Sequence, residues 1–120
     1  MEKLLVLLVE DHDINGRYMK ELLECEDFEV IWTKDLKTAE EAYKLHKNDL
    51  KAIILDGHLD VRTNTLPLIK YIKDDGFEGL MLATSEDPIL RIDMMKEGCS
   101  AHCFKRHFLH HLLEVKNRFT

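Results

Sequence analysis

The stretch KAIILDGHLD, residues 51–60, passes from an unbroken apolar run (Ala52, Ile53, Ile54, Leu55) to a lone carboxylate, Asp56, followed by Gly57. A run this short, apolar at every position and closed by polar residues and glycine, reads as a strand buried on both faces, as in a parallel sheet. Open α/β sheets bind their ligands just beyond the carboxyl ends of such strands. Asp56 stands in that place.

Working outward, residues 3–9 (KLLVLLV) form a second continuous apolar run that ends at Glu10 and Asp11. Asp13 is expected to cap a helix whose apolar face is Ile14, Tyr18, Met19, Leu22 and Leu23. Asn15 and Gly16 are poor helix formers, so something other than propensity holds them in its first turn. Residues 28–33 alternate Phe28, Val30 and Trp32 with Glu29, Ile31 and Thr33, a half-exposed pattern suited to a sheet edge. Asp35 then caps a helix to about Lys47, with Leu36, Ala39, Ala42 and Tyr43 inward and Asn48 as its stop.

Beyond the central strand, residues 66–73 place Leu68, Ile69 and Ile72 on one helical face, with Pro67 admissible only in the first turn. Gly76 and Gly79 precede a third buried strand, residues 80–83, that ends at Thr84 and Ser85. Pro88 opens a helix with Ile89, Ile92, Met95 and Met94 as its apolar residues, and Gly98 closes it. Residues 101–104 form the last strand, ending at Lys105. A helix from about His107 carries Phe108, Leu109, Leu112, Leu113 and Val115. The outcome is strict β–α alternation, hence a doubly wound five-stranded parallel sheet with helices on both faces. Five strands fit the flavodoxin-like order 2-1-3-4-5. That order makes the first and third strands neighbours and brings Glu10, Asp11 and Asp56 together.

Composition narrows the function. The 120 residues suffice for one domain; 33% are charged and 45% hydrophobic, and the net charge of −6 opposes general binding to nucleic acid or anionic membrane. No apolar run reaches the ~20 residues of a membrane span and no signal-peptide pattern opens the chain, so a cytoplasmic protein is expected. Cys25, Cys99 and Cys103 are odd in number and lack a CxxC pair, which points to reduced thiols. Cys99, His102 and Cys103 lack a fourth ligand at zinc-site spacing, and His107, His110 and His111 read as an exposed polar stripe.

Three carboxylates at one sheet end repel each other unless a cation or proton intervenes. Hard oxygen ligands select Mg²⁺ or Mn²⁺. With Thr84 and Lys105 at neighbouring strand ends, metal, carboxylate, hydroxyl and ammonium together suit a phosphoryl group, and a carboxylate oxygen can be the in-line nucleophile. A flavin phosphate site would want a Ser/Thr/Gly-rich first loop where this chain has EDHDING, and GxGxxG is absent after the first strand.

LLVEDHDIN, IILDGHLD, LMLATSED and HCFK, in that order and at matching strand ends, resemble the signature segments of the receiver domain of two-component response regulators. VEDHDIN is also similar to the VEDNxxN style of receivers attached to hybrid kinases. The resemblance implies that Asp56 accepts a phosphoryl group from a sensor histidine kinase or a histidine phosphotransfer protein. It implies Mg²⁺ (or Mn²⁺) held by Glu10, Asp11, Asp56 and the backbone carbonyl of His58, with Thr84 and Lys105 on the phosphoryl oxygens. It also implies a signalling acceptor rather than an ordinary enzyme, acting as a monomer or weak dimer through the fourth helix, fifth strand and fifth helix. Residues 1–120 are then one receiver domain without an output domain, acting by docking or cut from a longer chain.

The chain departs from the family's pattern at four places. Asp60 stands where a proline is usual, and a glycine is usual near Asn64 or Thr65, in a loop about one residue longer; Asn64 is expected to take up a left-handed turn in the glycine's place. Arg106 follows the lysine in place of proline, so the Lys105–Arg106 bond is expected to be trans, a non-proline cis bond costing roughly 2.5–4 kcal/mol. His102 occupies the switching Tyr or Phe position, on the same strand face as Phe104. The second reading left open is a pseudo-receiver, a protein-interaction module that keeps the fold without being phosphorylated.

Overall fold

β3 (Leu50–Leu55) runs through the middle of the molecule with Ala52, Ile53, Ile54 and Leu55 fully buried, as its continuous apolar sequence requires. β1 (Leu4–Val9) lies on one side of it and β4 (Leu80–Ala83) on the other. β2 (Phe28–Thr33) and β5 (Ala101–His102) are the edges of an all-parallel sheet in the order β2-β1-β3-β4-β5. The computed structural model describes residues 3–59 and 63–119. Asp60, the position of the usual proline, lies outside the described residues, as does part of the longer loop around it.

Alternation along the strands sorts the core into two layers. Leu7, Val9, Ile53, Leu55, Met81 and Ala83 face α2 (Leu36–His46), α3 (Leu66–Asp74) and α4 (Pro88–Glu97). Val6, Leu8, Ala52, Ile54 and Leu82 face α1 (Asp13–Cys25) and α5 (Phe108–Arg118). The sheet is thus covered on both faces, the doubly wound architecture expected from the alternation.

Two helices turn a different stripe inward from the expected one. On α1, Gly16, Met19 and Leu23 are buried while Ile14 and Tyr18 are 76% and 58% exposed. Both stripes have helical spacing; Gly16 decides between them. A Cβ there would lie 2.1 Å from Cζ2 of Trp32, so only glycine lets the helix settle on the indole ring. On α4, Leu90 and Met94 face the sheet while Ile89 and Ile92 are exposed. Leu90 fills the space beside Gly57, where an added Cβ would meet its Cδ2 at 2.5 Å.

Three local details also differ. His12, not Asp13, is the N-cap of α1; its ring accepts from the Asn15 N–H at 3.4 Å, and Asp13 is the first helical residue, paired with Lys34. β5 has two residues where four were expected, because after Cys103 the chain turns into a single 3-10 turn, Lys105–His107, that leads into α5. Asn64 is not left-handed, Asp27 being the one non-glycine with positive φ among the described residues. Asn64 instead bridges His58 as an isolated antiparallel pair, and its side-chain oxygen accepts from the Leu66 N–H at 3.0 Å. The Lys105–Arg106 bond is trans.

Candidate functional site

The sheet register aligns the ends of its central strands. Val9 pairs with Leu55 and Leu55 with Ala83, and one residue further the ladder continues. The Asp56 N–H donates to the Val9 carbonyl at 3.0 Å, and the Thr84 N–H to the Leu55 carbonyl at 3.0 Å. Glu10, Asp56 and Thr84 therefore emerge side by side at the carboxyl edge, and the oxygens of Glu10, Asp11 and Asp56 come within 4.8 Å of one another.

Lys105 reaches into this cluster from the loop after β5. Its Nζ lies 2.7 Å from Glu10 Oε1 and 3.2 Å from Asp56 Oδ2. Burial works against the charged ammonium, but Glu10 and Asp56 outweigh it and hold the Lys105 pKa above its ordinary value. Glu10 is 1% exposed. Burial pushes its carboxyl up from 4.5 to about 7; Lys105 pulls the other way and the Asp56 charge adds to the rise. Its Oε2 accepts from the His12 N–H at 3.1 Å, whereas Oε1, close to Lys105, makes no aligned hydrogen bond.

Asp56 is nearly buried. Its Oδ1 accepts from the Gly57 N–H at 2.8 Å, and Oδ2 is the oxygen turned to Lys105. The Thr84 hydroxyl donates to the Leu55 carbonyl at 3.1 Å. His58 sits in the β3–α3 loop, its ring exposed and Nε2 3.7 Å from Asp87 Oδ2. His102 is exposed at the end of β5, beside a hollow lined by Pro88, Arg91, Ile92 and Met95. Of the expected site residues, Glu10, Asp11, Asp56 and Lys105 are brought together. Thr84 stands one strand away and His102 lies further out.

Donor chemistry suits a hard divalent cation. Three carboxylates offer only oxygen, their oxygens lie within 4.8 Å of one another, and the single ammonium of Lys105 offsets only part of their repulsion. Two supporting residues escaped the sequence reading. Thr65, fully buried, donates its hydroxyl to the Asp56 carbonyl at 2.8 Å. Trp32 donates its indole N–H to the Glu10 carbonyl at 2.8 Å. The strand order alone could have found Trp32, because it puts the end of the edge strand beside Glu10. Thr65 carried no such signal.

No family model and no curated protein sequence matches the chain. Solved structures do. A response regulator receiver domain protein from Clostridium thermocellum matches with a TM-score of 0.81 at 18% identity, over 95% of this chain and 94% of that one. This is the receiver fold. A response regulator from Thermotoga maritima matches with a TM-score of 0.73 at 21% identity, over 94% and 97% of the two chains. The CheX-CheY-BeF3-Mg²⁺ complex from Borrelia burgdorferi holds a chain matching with a TM-score of 0.79 at 19% identity, over 92% and 87%. The strand order 2-1-3-4-5 and the acidic cluster at its carboxyl edge agree with the receiver fold. Among the described residues no helix is long and apolar enough to cross a membrane.

Proposed function

We propose that the protein is a phosphoryl-accepting receiver in which Asp56 is the acceptor. The observation that carries this reading is the convergence of Lys105 on Asp56 within a cluster of three carboxylates. In the transfer, an Asp56 oxygen attacks phosphorus, an acyl phosphate P–O bond forms, and the P–N bond to a donor histidine breaks as the imidazole leaves with the bond pair and takes a proton. Oδ2 is the candidate nucleophile, since Oδ1 is engaged by the Gly57 N–H.

Glu10, Asp11, Asp56 and the His58 carbonyl would hold Mg²⁺ or Mn²⁺. Bound there, the cation supplies positive charge against carboxylate repulsion and the charge on the phosphoryl oxygens. Lys105 adds a second positive charge from the side of β5. The Thr84 hydroxyl exchanges the Leu55 carbonyl for a phosphoryl oxygen, and that displacement frees His102 to move inward. Exposed Ile89 and Ile92 on α4 and the 38% exposed Phe104 after β5 support a docking face on α4, β5 and α5 whose fit to a partner changes with phosphorylation. The donor would be a sensor histidine kinase or histidine phosphotransfer protein, the cell compartment the cytoplasm, and the protein a monomer or weak dimer through that face.

The test is intact mass after incubation with acetyl phosphate and Mg²⁺. One added phosphoryl group on the wild type and none on Asp56→Asn is the expected result. Full labelling of Asp56→Asn would reject the assignment. A wild type that stays unlabelled while it still binds a partner would favour the pseudo-receiver reading.

A further inference from the structure

We propose that Trp32 is the positioning residue for the Glu10–Asp11 carboxylate pair, acting through its indole N–H. This rests on the reading of those two acids as cation ligands. The two acids are adjacent in sequence and must both stay near Asp56 against mutual repulsion, in a loop between β1 and α1.

The end of β2 restrains that loop from both sides of Glu10. The Glu10 N–H donates to the Thr33 carbonyl at 3.0 Å, and the Glu10 carbonyl accepts from Trp32 Nε1 at 2.8 Å. These groups belong to successive peptide planes. Fixing both planes fixes φ and ψ of Glu10, and so the direction in which the Glu10 side chain leaves the chain and the point at which the Asp11 Cα is set. The Thr33 bond merely extends the strand ladder, whereas the Trp32 bond is made by a side chain and depends on this residue.

Indole and loop are also held together from below. Gly16 lies against the ring, and Lys34, with Nζ 4.9 Å from the Trp32 centroid, pairs with Asp13 at the start of α1. Trp32 is the single tryptophan of the chain and lies on an edge strand, where burial alone would have been served by any large apolar residue. Phenylalanine would fill most of the space but could not donate to the carbonyl.

Mn²⁺ is the probe, its free concentration read by electron paramagnetic resonance in a titration of the full chain at a temperature where circular dichroism shows each variant folded. Trp32→Phe should weaken Mn²⁺ binding about tenfold, the scale on which groups that orient metal ligands act. Val115→Ala, a core change in α5, should leave the affinity within about twofold of wild type. If Trp32→Phe does not fold, replacing Trp32 with 3-benzothienylalanine, which exchanges the N–H for sulfur at nearly constant shape, decides by the same thresholds. Affinity within about twofold of wild type in the Trp32 variant, or an equal loss in Val115→Ala, overturns the proposal. A wild type that binds no Mn²⁺ removes the cation-site reading itself and the inference with it.

Discussion

Glu10 resists ionisation because it is buried beside a second carboxylate, and Lys105 offsets only part of that cost. Its carboxyl is raised from 4.5 to about 7 in the folded chain. Between those values the folded state binds more protons than the unfolded state, so stability falls as pH rises through the window. Asp13, Asp35, Asp75 and Asp87 are held below 3.8, so their contribution is present at higher pH and is lost only on stronger acidification. Glu10 therefore sets the difference that a single substitution can reveal. Without divalent cation, wild-type Tm should fall from about pH 5 to about pH 7.5 relative to Glu10→Gln, by an amount corresponding to a few kcal/mol. Parallel Tm profiles for the two proteins would show that Glu10 does not titrate in this window.

At the scale of elements, the strands were legible because continuous apolar runs admit few other readings, and β4 begins and ends where its sequence says. Helix existence was legible too, but which stripe faces inward on α1 and α4 was not. Ile14, Tyr18, Ile89 and Ile92 have suitable spacing and polarity, and only the seating of Gly16 on Trp32 and of Leu90 on Gly57 selects the alternative. Glu10, Asp11, Asp56 and Lys105 were readable as strand ends, whereas the supports from Thr65 and Trp32 depend on tertiary contacts. The β3–α3 loop shows why. Thr65 lies near the place where the family usually has a glycine, and its hydroxyl bonds the Asp56 carbonyl while its N–H donates to the Gly57 carbonyl at 3.0 Å. Thr65→Val keeps the shape and removes the hydroxyl, so a loss of about 1–2 kcal/mol in chemical denaturation is expected. No loss would mean that the hydroxyl does not hold this loop. Gly57→Ala should cost about 1–3 kcal/mol, because its Cβ meets Ser85 at 2.7 Å as well as Leu90. Leu90→Ala in the same chain should recover part of that cost in a double-mutant cycle, whereas additive losses would place the strain elsewhere.

Across the whole molecule, the sheet order concentrates one ammonium and three carboxylates at a single edge of a chain whose net charge is −6. That local excess of negative charge weakens the metal-free fold, and any ligand that binds the folded state alone adds stability by mass action. With Mg²⁺ or Mn²⁺ at tenfold its dissociation constant, the gain is about 1.4 kcal/mol, which for a domain of this size corresponds to a Tm rise of roughly 5 °C. Part of such a rise could come from screening, since all the acids repel one another and added salt shortens the range to about 10 Å at 0.1 M. Sodium chloride at matched ionic strength separates the two effects. Asp56→Asn is nearly isosteric and removes one repelling charge, so it should melt higher than wild type in the absence of divalent cation and gain less on its addition. Asp11 is only partly buried, so Asp11→Asn should lose the specific Mg²⁺ shift while keeping a near wild-type Tm without metal. Equal shifts with Mg²⁺ and sodium chloride in the wild type would show that the acidic edge responds to ionic strength alone and does not hold a cation.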